Sequence, residues 1–210
     1  MRAYTPQFDN PYPEGEWSEI TDFVYASNLH LCRAMTAVQT RTGEDANYVL
    51  AQPYRVRFKL DTDTVEREIE VPKGMLTDLS SIPPGFRWAV NRVGPHLEAT
   101  IVHDFLYIAW QDLADHGARD EDRKFADELM RVAMKEAKVS GVQIFLIHSA
   151  VSLAGGSAFR NADPGTRYVE DETGGDCPCE GAPLVVPAPP PAEPEPDTPD
   201  SDPDLDNDDD

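Results

Sequence analysis

Alternating hydrophobic and polar residues predict a β-hairpin near residue 60. Every second residue over Tyr54–Leu60 is apolar, and the residues between them are Arg, Arg and Lys, which is the period of a strand with one buried face. After a short polar turn, a second run over 65–71 places Val65, Ile69 and Val71 on one face and three glutamates on the other. The pattern therefore predicts two strands that share a buried face.

Opposite charges predict the register of this hairpin. If Leu60 lies opposite Val65, three charge pairs face each other on the solvent side: Lys59 with Glu66, Arg57 with Glu68, and Arg55 with Glu70. Each such pair contributes only roughly 0.2 to 1 kcal/mol, so we expect them to specify the register more than to stabilise the fold. A separate short strand is expected at Ile20–Tyr25, within a proline-containing start of the chain.

Three helices are expected after the hairpin. Apolar residues at helical spacing predict the first over 98–111, the second from Asp120 or Asp122 to about residue 138, and the third over 143–154. Acidic residues open the second helix, as the helix dipole favours. The sequence thus predicts an α+β fold, with an N-terminal antiparallel sheet packed on about three helices.

The third helix is expected to be a core helix that ends at a glycine pair. Gly155 and Gly156 follow its last apolar residues and are typical of a C-terminal stop. The apolar run over 144–159 is short and contains a histidine and two serines, so it does not fit a transmembrane span.

Negative charge is concentrated at the C-terminal end of the sequence. The formal net charge is -21, and 170–210 contain fifteen Asp and Glu with no Lys or Arg, which leaves -6 for the preceding residues. The last thirty residues, 181–210, are rich in proline and acidic residues, so we expect them to be disordered. We therefore divide the chain into an N-terminal segment with a short strand (1–45), a folded domain (46–160) and a disordered acidic, proline-rich tail (161–210).

Composition also argues against several classes of function. The folded part has no basic stripe that would neutralise phosphates, which disfavours direct binding of nucleic acid. The start of the chain does not resemble a signal peptide, and three cysteines cannot form a disulfide framework, so we expect a reducing cytoplasm. Cys177 and Cys179 have no histidine after His148 that would complete a zinc site, and we interpret them as incidental.

Three polar side chains interrupt the apolar segment IVHDFLYIAW of the first helix. His103 and Tyr107 are four residues apart and share a face, and Asp104 lies about a third of a turn from His103. A buried imidazole or carboxylate is costly without a hydrogen-bond partner. The spacing therefore predicts that partners reach this face from elsewhere in the chain.

Two other segments are expected to supply these partners. The loop over 71–84 contains Asp78 and ends in two prolines that stiffen it. The second helix places Arg123 and Asp127 on one face, since they are four residues apart. We expect Asp127 to orient His103, and we expect both side chains to meet Asp78 in a hollow that solvent can reach.

The three segments VPKGMLTDLSSIPP, HDFLY and RKFAD, in this order, resemble the family of domain of unknown function 1353 (DUF1353), which occurs mainly in tailed phages, prophages and their hosts. The resemblance covers 47–158 and departs from the family pattern at Met75, Ser80 and Pro84. It implies a phage or prophage origin, a location in the host cytoplasm or the virion, and phage structural or host proteins as partners. It implies no established activity.

The segment HDFLY is also similar, over five residues, to the His-Asp-x-x-Tyr helix of secreted phospholipases A2. In those enzymes the histidine activates water and the aspartate holds calcium. The similarity implies His103 as a base, Asp127 as its orienting carboxylate, and Asp104 or Asp78 as a cation ligand. The disulfides and the glycine-rich calcium loop of those enzymes are absent from this sequence.

Two interpretations of the polar cluster stay open. It is either the active site of a small hydrolase that acts on a lipid or cell-envelope substrate, or a buried clamp in a non-enzymatic virion, tail or assembly protein. A host-directed protein that uses the acidic tail is a third. The candidate catalytic residues are His103, Asp127, Tyr107, Asp104, Asp78 and Arg123.

The same cluster predicts a possible set of metal ligands. Asp104, Asp78 and Asp127, with His103, would form an oxygen-rich site suited to calcium, magnesium or manganese. The remaining histidines have no comparable neighbours in sequence, so we expect them to be surface or ordinary packing residues: His30, His96, His116 and His148.

Overall fold

A computed structural model of the chain describes residues 2–33, 48–77, 94–161 and 167–170. The strands are β1 (Arg2–Ala3), β2 (Ile20–Tyr25), β3 (Leu31–Arg33), β4 (Tyr48–Leu50), β5 (Tyr54–Leu60), β6 (Arg67–Val71), β7 (Leu76–Thr77) and β8 (Val169–Glu170). The helices are α1 (Leu97–Ala109), a 3-10 turn (Trp110–Asp112), α2 (Asp120–Glu136) and α3 (Gly141–Arg160). This arrangement confirms the predicted α+β class. Most of the predicted disordered tail (161–210) lies outside the described residues, but its start does not fit the prediction, because Tyr168 is buried and Val169–Glu170 form β8.

All strand pairs in the described ranges are antiparallel. They form a three-stranded sheet in the order β2-β5-β6, a second one in the order β3-β4-β7, and the pair β1-β8. The predicted hairpin register is confirmed, because Arg55 lies opposite Glu70 and Arg57 lies opposite Glu68. The alternation of apolar and polar residues, together with the short turn, therefore determines the register of the β5-β6 hairpin.

The ion pairs of the hairpin agree with the prediction only in part. Arg55 binds Glu70 at 2.6 Å as expected, but Arg57 binds Glu66 diagonally at 3.0 Å, and Lys59 binds Asp22 of β2 at 3.1 Å. The β5-β6 pairing ends at Phe58 and Arg67, so Glu66 lies beyond the ladder.

One residue of the predicted buried face is misassigned. Val65 is 73% exposed, whereas Ile69 and Val71 are buried. Val65 precedes the first residue of β6 by two positions, in the turn that leads into the strand. The strand therefore begins later than the apolar pattern indicated, and the alternation holds only from Arg67 onward.

The core lies between the β2-β5-β6 sheet and helices α1 and α2. The rings of Phe58 in β5 and Phe125 in α2 are 5.7 Å apart, and the buried side chains of α1 extend the same cluster. Residues that precede β2 complete it, since Phe8 contacts Phe105 at 5.1 Å and Trp17 contacts Phe125 at 5.7 Å between ring centroids. The N-terminal segment therefore packs on the two helices that carry the predicted site.

Helix α3 does not end at the glycine pair, so the predicted stop is wrong. It begins at Gly141, where the hydroxyl of Ser140 accepts a hydrogen bond from the backbone N–H of Gln143, and it continues to Arg160. The continuation buries Phe159, whose ring contacts Tyr107 at 5.2 Å and Trp110 at 6.1 Å. This packing stabilises the last turn beyond the two glycines.

Only one face of α3 is a core face. Ile147, Ala150 and Val151 are buried, whereas Phe145 and Leu153 are exposed. No helix in the described ranges has the length and apolar character needed to cross a membrane. Helix α3, which was expected to be a core helix, thus packs on the core with one face and exposes the other to solvent.

Cys32 in β3 is disulfide-bonded, although the cysteine count predicted no disulfide framework. Cys177 and Cys179 lie outside the described residues.

Candidate active site

Four of the six predicted site residues form one hydrogen-bonded network centred on Asp127. Oδ1 of Asp127 lies 3.0 Å from Nε2 of His103 and accepts a 2.7 Å hydrogen bond from the hydroxyl of Tyr107. Oδ2 accepts a 3.1 Å hydrogen bond from Nη1 of Arg123, which is also its ion-pair partner. The structure thus brings α1 and α2 together through a single carboxylate.

Helical spacing positions each member of this network. His103 and Tyr107 are one turn apart on α1, and their rings lie 4.1 Å apart at a tilt of 38°. Arg123 and Asp127 are one turn apart on α2. Burial is the main reason why the pKa of Tyr107 is raised, and the adjacent charge of Asp127 raises it further. Tyr107 is therefore protonated and donates to Asp127 at all ordinary pH values.

The remaining two predicted residues lie apart from this network or outside the described ranges. Oδ2 of Asp104 accepts a 3.2 Å hydrogen bond from the hydroxyl of Thr77, which fixes the end of β7 to α1. Asp78 follows Thr77 directly but lies outside the described residues, as does the second half of the predicted polar loop. Its expected meeting with His103 and Asp127 stays a prediction.

Two nitrogens of the network are buried and have no hydrogen-bond partner among the described residues. These are Nδ1 of His103 and Nε of Arg123. The imidazole is only 3% exposed, and Asp127 fixes it through Nε2. Buried polar groups in native proteins nearly always have a hydrogen-bond partner. An imidazole with one nitrogen held by a carboxylate and the other unpaired is therefore unusual, and we expect the unpaired nitrogen to bind a ligand or a water molecule.

A cleft of about 740 Å³ borders the network on one side. Arg123 and Asp127 line it from α2, His148 and Ser152 line it from α3, and Trp17 lines it from the N-terminal segment. His103 does not line this cleft. Asp127 therefore connects the buried imidazole to a surface that solvent can reach.

A second histidine–carboxylate pair lies near the first, and sequence reasoning missed it. Nε2 of His116 is 2.7 Å from Oδ2 of Asp122, and the imidazole stacks on the ring of Tyr12 at 5.1 Å. Burial raises the pKa of Asp122, while the hydrogen bond and charge of His116 oppose this rise. The expectation that His116 is an ordinary surface or packing residue is thus wrong, because it pairs with a buried carboxylate.

The described residues do not bring together a metal site. No three histidine, cysteine, aspartate or glutamate side chains in these ranges are grouped so that they could hold a metal ion. Both oxygens of Asp127 already accept hydrogen bonds, one of them from a guanidinium that would repel a cation. The ligand set that includes Asp78 stays a prediction.

Comparison with known families agrees with the sequence resemblance. Residues 49–151 match the model of a protein family described as protein of unknown function (DUF1353). This part of the chain therefore belongs to that family, and it contains the whole network around Asp127. Searches of curated proteins and of solved structures gave no match.

Proposed function

We propose that the protein is a small hydrolase in which His103 is the general base that activates a water molecule. The observation that carries the proposal is the pair of contrasting imidazole nitrogens: Nε2 is held by Asp127, and Nδ1 is buried with no partner. A histidine base needs one nitrogen oriented by a carboxylate and the other left free for the proton of water. Nε2 of His103 meets the first requirement. Nδ1 is unpaired, as the second requires, and because it is closed to solvent in this structure the proposal further requires that the packing around it open to admit water.

The other residues of the network have positioning roles in this proposal. Tyr107 and Arg123 hold the carboxylate of Asp127, and through it they fix the tautomer and orientation of the imidazole. Asp104 is the second carboxylate of the proposed site, on the side of α1 where β7 ends. A lipid or a cell-envelope ester is the proposed substrate class, by the local similarity of HDFLY to phospholipases A2.

The test separates catalysis from a purely structural role. Purified protein would be assayed against short- and long-chain p-nitrophenyl esters and against phospholipid vesicles, with and without calcium, magnesium or manganese. His103→Gln should abolish turnover while the variant stays folded by circular dichroism, and His30→Gln serves as the matched control. Absence of turnover in the unmodified protein, together with a loss of several degrees in His103→Gln, would contradict the proposal.

A second function is supported by a different observation. His103 is almost fully buried and Asp127 has both oxygens occupied, as in a structural clamp between two helices. We therefore keep the alternative of a phage or prophage virion, tail or assembly protein, by the association of the family with phages. Mass spectrometry of purified particles would test it: the protein should be present at a fixed copy number, and its absence would exclude a virion role.

A further inference from the structure

The hairpin strand β6 has an open edge. It is an end strand of the β2-β5-β6 sheet, and among the described residues it pairs with β5 alone. An open strand edge presents backbone donors and acceptors in the arrangement that a further strand needs, and extended peptides bind to such edges.

The hydrogen bonds of β5 determine which groups of β6 point to the open edge. The carbonyl of Arg55 accepts from the N–H of Ala26 at 2.9 Å, and its own N–H donates to the hydroxyl of Ser27 at 2.8 Å, so both groups point away from β6. Neighbouring residues of a strand direct their backbone groups to opposite sides, so those of Val56 point toward β6. Ile69, which lies opposite Val56, therefore bonds to β5.

Glu68 and Glu70 carry the backbone groups that point outward. Both are neighbours of Ile69 on the strand, so their N–H and C=O groups face the open edge. No hydrogen bond joins these groups to another described residue. The two side chains lie on the solvent face of the sheet and are about half exposed.

A groove of about 1010 Å³, the edge groove, lies along this edge. It is lined by 68–70 and Pro72 of the hairpin, by 5–11 of the N-terminal segment, and by 112–114 at the end of the 3-10 turn. Residues 5–11 are not assigned to any strand, so they border the groove without pairing with β6.

The N-terminal segment is attached to the hairpin on both sides of the edge groove. The hydroxyl of Tyr4 donates to the carbonyl of Lys73, just after β6, at 2.6 Å. The N–H of Ser18 donates to Asp61, in the turn before β6, at 3.0 Å. The edge of β6 is therefore left open between two fixed points.

The edge groove has an excess of negative charge. Arg55 pairs with both Glu68 and Glu70, at 3.6 and 2.6 Å, and Arg167 pairs with Asp112. Four carboxylates against these two guanidinium groups leave two negative charges, which favours a basic ligand. They disfavour pairing with β6 of a second copy, because like charges would then lie side by side. All charged lining residues are acidic: Asp9, Glu68, Glu70 and Asp112.

We propose that the edge groove binds an extended segment of another protein as an additional antiparallel strand on β6, with lysine or arginine at alternate positions. The backbone of the segment pairs with Glu68 and Glu70, its basic side chains lie beside their carboxylates, and the apolar residues between them face Phe8 and Leu113. β5 has the same pattern on the other side of β6, since its basic residues alternate with apolar ones. The parts of this chain outside the described ranges have no two basic residues at alternate positions, so the segment comes from another protein.

Hydrogen exchange on the full chain tests the backbone pairing. The probe is acetyl-Lys-Val-Lys-Val-Lys-amide, and acetyl-Glu-Val-Glu-Val-Glu-amide is the control of reversed charge. At saturating lysine peptide, the amide protons of Glu68 and Glu70 should exchange at least about tenfold more slowly by ¹H–¹⁵N NMR, whereas that of Ile69, already bonded to β5, should change little. The glutamate peptide should give no protection.

Two N-methylated lysine peptides separate strand pairing from attraction between charges. Residues directly opposite each other in an antiparallel pair have side chains on the same face, so the lysine amides of the bound peptide bond to Glu68 and Glu70. Methylation of the lysine amides should abolish the protection. Methylation of the valine amides, which point away from β6, should preserve it.

Two variants locate the binding on β6. Glu70→Pro removes an outward N–H and no bond to β5, and it should weaken binding of the lysine peptide at least about tenfold. Glu70→Gln keeps that N–H and should weaken binding by a smaller factor, and Glu66→Gln, outside the lining, should have no effect.

Three results with the unmodified protein would overturn the proposal. The first is unchanged exchange of the Glu68 and Glu70 amides at saturating lysine peptide, and the second is equal protection by the lysine and glutamate peptides. The third is a dimer in which these amides are already protected without peptide, which would assign the edge to a second copy of the chain.

Discussion

Gly155 in α3 faces Tyr107 in α1 so closely that a methyl group at position 155 would overlap the phenol oxygen. The close approach explains why a glycine lies in the interior of a helix, where it is normally unfavourable. It also fixes the position from which the Tyr107 hydroxyl donates to Asp127.

Gly155→Ala and Gly156→Ala should have opposite effects on stability. The first forces Tyr107 away from its position and should lower the free energy of unfolding by about 1 to 3 kcal/mol. The second adds a methyl group whose nearest neighbour is Nη1 of Arg160 at 3.8 Å, so it should raise stability by up to about 1 kcal/mol. Urea denaturation of both variants measures the difference, and equal effects would contradict the close approach.

Tyr107→Phe should destabilise the protein without creating a cavity. The variant removes the hydrogen bond to Asp127 and keeps the ring contacts with His103 and Phe159. Loss of a hydrogen bond to a carboxylate should cost about 1.5 to 3 kcal/mol. If the proposed hydrolase is correct, kcat should also fall because Asp127 orients His103 less well. A change in KM alone would argue against this positioning role.

Tyr12 should contribute more to stability than Tyr4, although each bonds a backbone carbonyl. The buried Tyr12 hydroxyl donates to the carbonyl of Leu106 and accepts a 3.2 Å bond from the N–H of Trp110, whereas Tyr4 donates to Lys73 at an exposed position. Tyr12→Phe should lower the free energy of unfolding by about 1 to 3 kcal/mol, because it leaves buried groups unpaired. Tyr4→Phe should have a much smaller effect, as thermal denaturation can verify.

Asp63 should make the stability of the hairpin depend on pH. The hydrogen bond from Arg67 is the main reason why the pKa of Asp63 lies below its usual value of 3.8. A lowered folded-state pKa means that the contribution is present above pH 3.8 and is lost as the pH falls through the folded-state value. The stability difference between the natural protein and Asp63→Asn should therefore shrink below pH 3.8.

The control for this pH series is Glu66→Gln, which removes an exposed ion pair from the same hairpin. It should change stability by less than about 1 kcal/mol at neutral pH, as is usual for surface pairs. A pH-independent difference between the natural protein and Asp63→Asn would contradict the role of ionised Asp63.

Local periodicity explains what could be predicted from the sequence. Strand alternation gave the β5-β6 register, and helical spacing brought Arg123 beside Asp127 and Tyr107 beside His103. Spacing within one helix does not say which helices pack together, so the expectation that the two helices meet at Asp127 rested on the cost of burying His103 without a hydrogen-bond partner.

The features that were missed depend on contacts between segments that are distant in sequence. His116 reaches Asp122 across the loop that precedes α2, and Tyr12 stacks on it from the far end of the chain. The only local signal for this pair was the position of His116 six residues before Asp122. Asp122 had been explained instead as one of the acidic residues that the helix dipole favours in the first turn. The continuation of α3 past Gly155 was missed for the same reason, since burial of Phe159 against α1 outweighs the local preference of glycine.

The ring contacts from Phe8 and Trp17 determine where this protein can be shortened. The family match begins at residue 49, yet these two rings cover Phe105 and Phe125 of the matched helices. A fragment cut at the family boundary would carry two large uncovered aromatic side chains, and it would be prone to aggregation on expression. The region that matches the family is therefore shorter than the region that must be present for the protein to fold.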